Sequence, residues 1–269
     1  YFCPGFHSEG GTFVGCSNTN VYPFLKYYLS QKKIKEGIDF DDVSKMVDYS
    51  NCSELETIAN NAAIICAYKN KKEIDIDDIA SAYLTERFLR KNKDDNMAIY
   101  HEIGHVVIAE ALKKGSASFV TVNKNSRNET GGFTKVIEDL RRSELILITL
   151  GGKAASELFY DGGVASGCSS DLKKSIEFLK DGMENNSLLG FSVLSPFDDY
   201  SMSSNLVARQ ETFVNAELER FYYITKKILF ENKEFYFKLV DALTKKDYLL
   251  FSEIQQIRQK CNIKTFYAF

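Results

Sequence analysis

The stretch His101-Glu102-Ile103-Gly104-His105 constrains this chain more than any other. It lies in a helix-compatible run from about Met97 to Lys114, with Asp94 or Asp95 available as an N-cap and Gly115 as a stop. Positions i and i+4 project from one helical face, so the two imidazoles can reach a single metal ion. Imidazole nitrogen suits Zn²⁺, and a catalytic zinc keeps one coordination position open for water. Glu102, next to the first histidine, can take a proton from that water as it attacks a carbonyl. The flanking Val106, Val107, Ile108, Ala109, Ala111 and Leu112 fit a helix rather than a polar loop. The competing reading is two ordinary histidines at a chance spacing. The pattern points to a zincin-type hydrolase without saying of which kind.

A third ligand has few candidates. The remaining histidine is His7, far away in a loop-like segment, and six residues past His105 stands Ala111 rather than histidine. Cys168 is possible, though a lone thiol beside two histidines is less common in hydrolytic sites than a carboxylate. Two acids remain. Glu157 lies in a mostly apolar helical run, and Asp171 follows a glycine loop at the start of another helix, where a short carboxylate can be aimed at a metal.

A chain of 269 residues holds one large or two modest domains. Its net charge of −3 leaves no nucleic-acid footprint. The six cysteines are scattered without a CxxC pair, which argues against a cysteine-zinc site or a disulfide framework and favours a reducing compartment. No apolar run approaches the roughly 20 residues of a membrane helix. No signal peptide pattern opens the chain, which starts at Tyr1 without Met and reads as a piece of something longer.

The pattern along the chain is mainly α. Residues 1–22 read as a loop rich in Gly, Ser, Thr and Asn, with no G-x-x-x-x-G-K-[ST] phosphate loop in the chain. Residues 23–92 read as a small helical domain. Its helices fall around Leu25–Lys33, from Asp41 or Asp42 to Met46, from Ser50 or Asn51 to Tyr68 with a capping box at Glu54, and from about Ile74 to Arg90. Lys91–Asp95 is a charged linker. In residues 93–269, Ser118–Val122 and Gly131–Val136 pair as strands across a polar turn. Ser143–Tyr160 is a helix whose Gly151-Gly152 pair permits close packing. A flexible loop at 161–167 precedes a helix capped by Ser169 or Ser170, with Asp171 in its first turn. Beyond a loop containing Pro196, residues 204–260 are amphipathic helix.

The order HEIGH, GGFT, LGGKAASELFY and GGVASGCSSDL resembles the FtsH family of ATP-dependent zinc proteases, over roughly residues 23–260. The segment DYSNCSELETIANNAAIICAYKNKKEIDIDDIASAY is similar to that family's AAA lid. The resemblance implies a helical AAA-lid-like subdomain followed by a helical zincin-type peptidase domain with a small β-hairpin or sheet. It implies one Zn²⁺ per chain held by His101, His105 and Asp171, with Glu102 as general base and Glu157 in a supporting role behind the ligands. Gly131, Gly132, Phe133 and Thr134 become an exposed strand beside the metal, able to pair with extended polypeptide. Residues 1–22 become a remnant of an AAA ATPase core. There Phe13, Val14 and Gly15 resemble the family's substrate-gripping pore loop, although a plain glycine-rich loop accounts for the same residues. The family implies a homo-hexamer at the cytoplasmic face of a membrane, with ATP and Mg²⁺ bound only through an ATPase core that this chain does not display. The expected function is degradation of unfolded or loosely folded proteins. The alternative is a catalytically retired, zinc-stabilised assembly or polypeptide-binding module, which the retained Glu102 disfavours.

Overall fold

The computed structural model describes residues 18–48, 50–89, 96–125, 132–136, 140–160, 168–185 and 204–267. The stretch Phe13–Gly15, the linker at 91–95, Gly131, and the loops around 161–167 and Pro196 lie outside these residues. Two compact units divide the chain, Tyr1–Phe88 and Leu89–Phe269.

The described part of the first unit is four helices: α1 (Asn18–Ser30), α2 (Phe40–Val47), α3 (Cys52–Tyr68) and α4 (Ile76–Arg87). The sequence suggests a loop to about residue 22 and a first helix from about Leu25. It starts instead at Asn18 and carries Pro23 within it, so the missing proline N–H interrupts the early ladder without ending it. Asp39 rather than Asp41 caps α2, accepting from the Asp41 amide. Asn51 and Glu54 form the reciprocal box expected at the start of α3: each side chain accepts from the other's backbone N–H, at 2.9 and 3.0 Å. Leu55, Ile58 and Ala62 on α3 are wholly buried and Cys66 nearly so, the helical stripe read from the sequence.

The second unit is built on α5 (Asn96–Leu112), after the short strand β1 (Phe88–Leu89). All but a few of its residues are buried. A helix apolar around its circumference belongs in a core, and α5 is that core's centre. Behind it come β2 (Ala117–Thr121), β3 (Lys124–Asn125), β4 (Phe133–Val136), α6 (Arg142–Phe159), α7 (Cys168–Asn185), α8 (Ser204–Glu231), α9 (Lys233–Lys246), β5 (Tyr248–Leu250) and α10 (Phe251–Gln259). The expected hairpin forms, β2 pairing antiparallel with β4 through Val120↔Thr134 and Thr121↔Phe133. A third strand was not legible: β5 joins the other edge of β2, with Val120 opposite Leu249. The sheet order is β4-β2-β5, so β4 is an edge among the described strands.

Three ties fix α5. Glu110, fully buried, accepts from the amides of Gly115 and Ala117 at 3.1 and 3.0 Å, so its carboxylate turns the chain from α5 into β2. The same carboxylate lies 3.0 Å from Arg258 Nε on α10. The Tyr236 hydroxyl of α9 donates to the Tyr100 carbonyl at 2.8 Å.

The closest approach is that of α5 to α6. A Cβ added at Gly104 would stand 2.6 Å from Ala155 Cβ and closer still to the Gly151 carbonyl oxygen, and one added at Gly151 would stand 2.8 Å from the Gly104 carbonyl oxygen. The two backbones touch through glycine. Gly104→Ala should therefore part the helices and destabilise the unit by about 1–3 kcal/mol, the usual scale of overpacking. Urea unfolding of the variant measures this, and an unchanged midpoint would mean that the helix pair has slack to absorb a methyl group.

Candidate metal centre

His101 and His105 sit one turn apart on α5, and Asp171 sits in the first turn of α7. Asp171 Oδ2 lies 2.9 Å from His101 Nε2 and 3.4 Å from His105 Nε2, and the two Nε2 atoms are 3.1 Å apart. Bonds of about 2.0–2.1 Å to a tetrahedral zinc require ligand atoms roughly 3.3 Å apart. The triangle matches that spacing, and two imidazoles with a carboxylate match the donor chemistry of zinc. Among the described residues these three form the one cluster of His, Cys, Asp or Glu side chains able to hold an ion.

Each histidine is oriented from behind. His105 Nδ1 stands 2.7 Å from the Ile148 carbonyl oxygen of α6. A carbonyl only accepts, so Nδ1 carries a proton, and in the neutral ring the lone pair is then on Nε2, toward the cluster. His101 Nδ1 faces Cys168 Sγ at 3.7 Å. The His101 ring also lies against Gly152, where an added Cβ would stand 2.5 Å from Nε2. Glycine at 151 thus sets the helix spacing and glycine at 152 makes room for a ligand ring.

Glu102 points to a different neighbour. The Thr134 hydroxyl lies 2.6 Å from Glu102 Oε2 and 3.1 Å from the Glu102 carbonyl oxygen, so strand β4 steadies this side chain. Oε1 accepts no hydrogen bond from a described residue. Gly132, at φ +98°, runs so close that a Cβ there would stand 2.7 Å from Oε1. Only glycine combines that backbone with that approach.

Burial and mutual charge perturb Glu102, His105 and Asp171. Burial pushes the Glu102 carboxyl up, against the pull of His105, His101 and the Thr134 hydroxyl. Burial alone would lower His105, but the hydrogen bond and charge of Asp171, with Glu102 and the Ile148 carbonyl, raise it to about 9. Burial would likewise raise Asp171, yet bonding to His101 and His105 holds it well below the usual carboxylate range.

Glu157 lies apart from these histidines. Its carboxylate accepts from the Tyr222 hydroxyl and from Lys226 and Lys153, at 2.5 and 3.2 Å for the two amines. Lys226 first, then Tyr222, hold it at about 2. Tyr222 in turn lies between Lys153 and Lys226, with each ammonium within 4.6 Å of its ring centre. The cluster joins α6 to α8 at a half-exposed surface. The sequence pattern missed Ile148, because a backbone carbonyl leaves no side-chain signal, and it weighed Cys168 only as a ligand. Thr134 appeared only as part of a substrate strand.

A sequence profile described as Peptidase family M41 matches residues 88–257. The ATP-dependent zinc metalloprotease FtsH of Streptobacillus moniliformis is 27% identical to the chain, the match covering 87% of the chain and 37% of that relative. FtsH 2 of a Thermoanaerobacter species is 26% identical over 93% of the chain and 51% of its own length. FtsH 2 of Phytoplasma mali is 28% identical over 88% and 36%. The chain thus spans between about a third and a half of the relatives that it matches.

The two acids separate by metal content. Asp171→Ala should release most of the zinc from the purified chain, because it removes one of the three groups able to hold an ion, while Glu157→Ala should keep it. Elemental analysis after dialysis decides this, and zinc lost from the Glu157 variant alone would reverse the assignment.

Proposed function

The chain belongs to peptidase family M41, and on that premise we propose that it is a zinc-dependent endopeptidase acting on unfolded or loosely folded polypeptide. The observation that carries this reading is the meeting of His101, His105 and Asp171 with Glu102 set between the two histidines in sequence and held by Thr134. In this reading the two imidazoles and Asp171 hold the metal, which supplies Lewis acidity toward water and a peptide carbonyl.

The remaining chemistry belongs to the chain's own groups. Thr134 occupies Glu102 Oε2, which leaves Oε1 to take the proton of the attacking water and return it to the leaving amine. Burial that raises the Glu102 carboxyl suits a group that must both accept and release a proton. Ile148 keeps His105 in the tautomer that presents Nε2. As an edge among the described strands, β4 is placed to pair with an extended peptide around Gly132, Phe133 and Thr134, with Gly131 the preceding residue. Backbone pairing reads no side chain, which suits broad specificity, and it delivers the peptide beside Glu102 through the same strand.

The relatives' name, ATP-dependent zinc metalloprotease, supports coupling to an AAA ATPase ring that feeds unfolded chain to the site. The same reading extends to a homo-hexamer at the cytoplasmic face of a membrane. No helix of the described residues is long and apolar enough to cross a membrane.

Casein hydrolysis should disappear with a chelator and return with zinc. Glu102→Gln, which keeps shape but removes the base, should lower turnover by at least about 10²–10⁴-fold while zinc content stays unchanged. A Glu102→Gln chain that still cleaves casein at the parent rate would end the peptidase assignment of this residue.

Strand pairing has its own readout. Peptide substrates with N-methyl groups on alternate backbone amides should show a raised KM in one phase of the alternation and little change in the other. Equal KM values for both phases would remove β4 as the docking edge.

A further inference from the structure

The first turn of α7 meets the His101 imidazole at both nitrogens. Asp171 Oδ2 stands 2.9 Å from Nε2, and Cys168 Sγ stands 3.7 Å from Nδ1. Residues three apart share a helical face, so Cys168 and Asp171 grip one ring from one turn. The sulfur is buried and lies on the far side of the ring from the three ligand atoms. It cannot join that triangle while the ring keeps its orientation. The polar contacts of His101 among the described residues are Asp171, His105 and Cys168, so the thiol is what meets Nδ1.

The two ligand histidines are therefore supported unequally. His105 is fixed by a short bond to a carbonyl on a rigid helix. His101 has a soft, polarizable partner, and glycine at 152 in place of a side chain against its ring. A histidine ring has a broad, roughly two-fold torsion at χ2. Turning it over would exchange the sides of its two nitrogens and take Nε2 out of the cluster.

We propose that Cys168 is a positioning residue of the metal centre, its sulfur accepting the Nδ1–H of His101 and so fixing both the tautomer and the orientation that present Nε2 to the metal. The proposal rests on the zinc reading above. It assigns Cys168 no chemistry of its own: the thiol neither binds the metal nor touches substrate.

The test uses the full chain loaded with zinc or cobalt(II). Apparent zinc affinity is read by competition with a chromophoric chelator, and the imidazole N–H protons by the hyperfine-shifted proton spectrum of the cobalt form. Cys168→Ala and Cys168→Val remove the acceptor, the alanine side chain being smaller than the thiol and the valine larger, so that a volume effect and loss of the acceptor can be told apart. Both should bind zinc about 10-fold more weakly, the lower end for loss of a partner behind a ligand. One of the two shifted exchangeable N–H signals should broaden by faster exchange, while that of His105 stays sharp. Cys168→Ser, which keeps an acceptor on a shorter bond, should recover the signal and part of the affinity. Both variants binding zinc as the parent does, with two sharp N–H signals, would overturn the role of Cys168 and leave the zinc reading intact. A parent chain that takes up neither zinc nor cobalt would overturn both.

Discussion

The contact between the backbones of α5 and α6 at Gly104 and Gly151 sets the distance on which the centre depends. His101, Gly104 and His105 lie along one face of α5, and Ile148, Gly151 and Gly152 along one face of α6. With the helices in touch, the Ile148 carbonyl reaches His105 and the Gly152 backbone lies against His101. A separation larger by a single methyl group would break the first contact and open a gap behind the second. Interiors are packed too tightly for such a shift to be absorbed locally. The helix pair is thus both the core of the unit and the frame of the site.

That frame encloses four ionisable side chains. His101, Glu102 and His105 are buried and Asp171 nearly so. Burying charge is costly unless every member has a partner. Asp171 faces two imidazoles, His105 faces a carboxylate and a carbonyl, and Glu102 faces a hydroxyl. Removing Asp171 would take the carboxylate from both imidazoles at once, so these three are bound together more closely than any of them is to Glu102. Arg258 does the same service for buried Glu110 at the far end of α5.

Much of this was legible in the sequence, for identifiable reasons. The i, i+4 histidines and their apolar flanks specify a buried helix, and Asn51 with Glu54 specifies a helix start. Gly151-Gly152 marks a close approach, because only glycine lacks the atom that would prevent it. The hairpin of β2 and β4 follows from alternation. The rest was hidden because its signal is not in side-chain pattern. β5 is three residues long, and Tyr248, Leu249 and Leu250 read equally well as helix. α1 overrides Pro23, a residue that ordinarily ends such a reading. The neighbours behind His105 and His101 are a main-chain oxygen and a thiol reached across 67 residues of chain. Residue chemistry alone left Asp171 and Glu157 both open and the family resemblance favoured Asp171; in the fold α7 carries Asp171 to the histidines, while α6 and α8 pair Glu157 with lysines.

The middle strand of the sheet has a temporal consequence. β2 needs β5 on one side, and the Thr121 hydroxyl donates to the Asp247 carbonyl across 126 residues. At roughly 5–20 residues per second, a ribosome takes on the order of 10 s to cover that span. During that interval the histidine helix has been synthesised but the far edge of its sheet has not. The sheet therefore closes late in biosynthesis, and a nascent chain stalled before residue 248 leaves β2 without that neighbour.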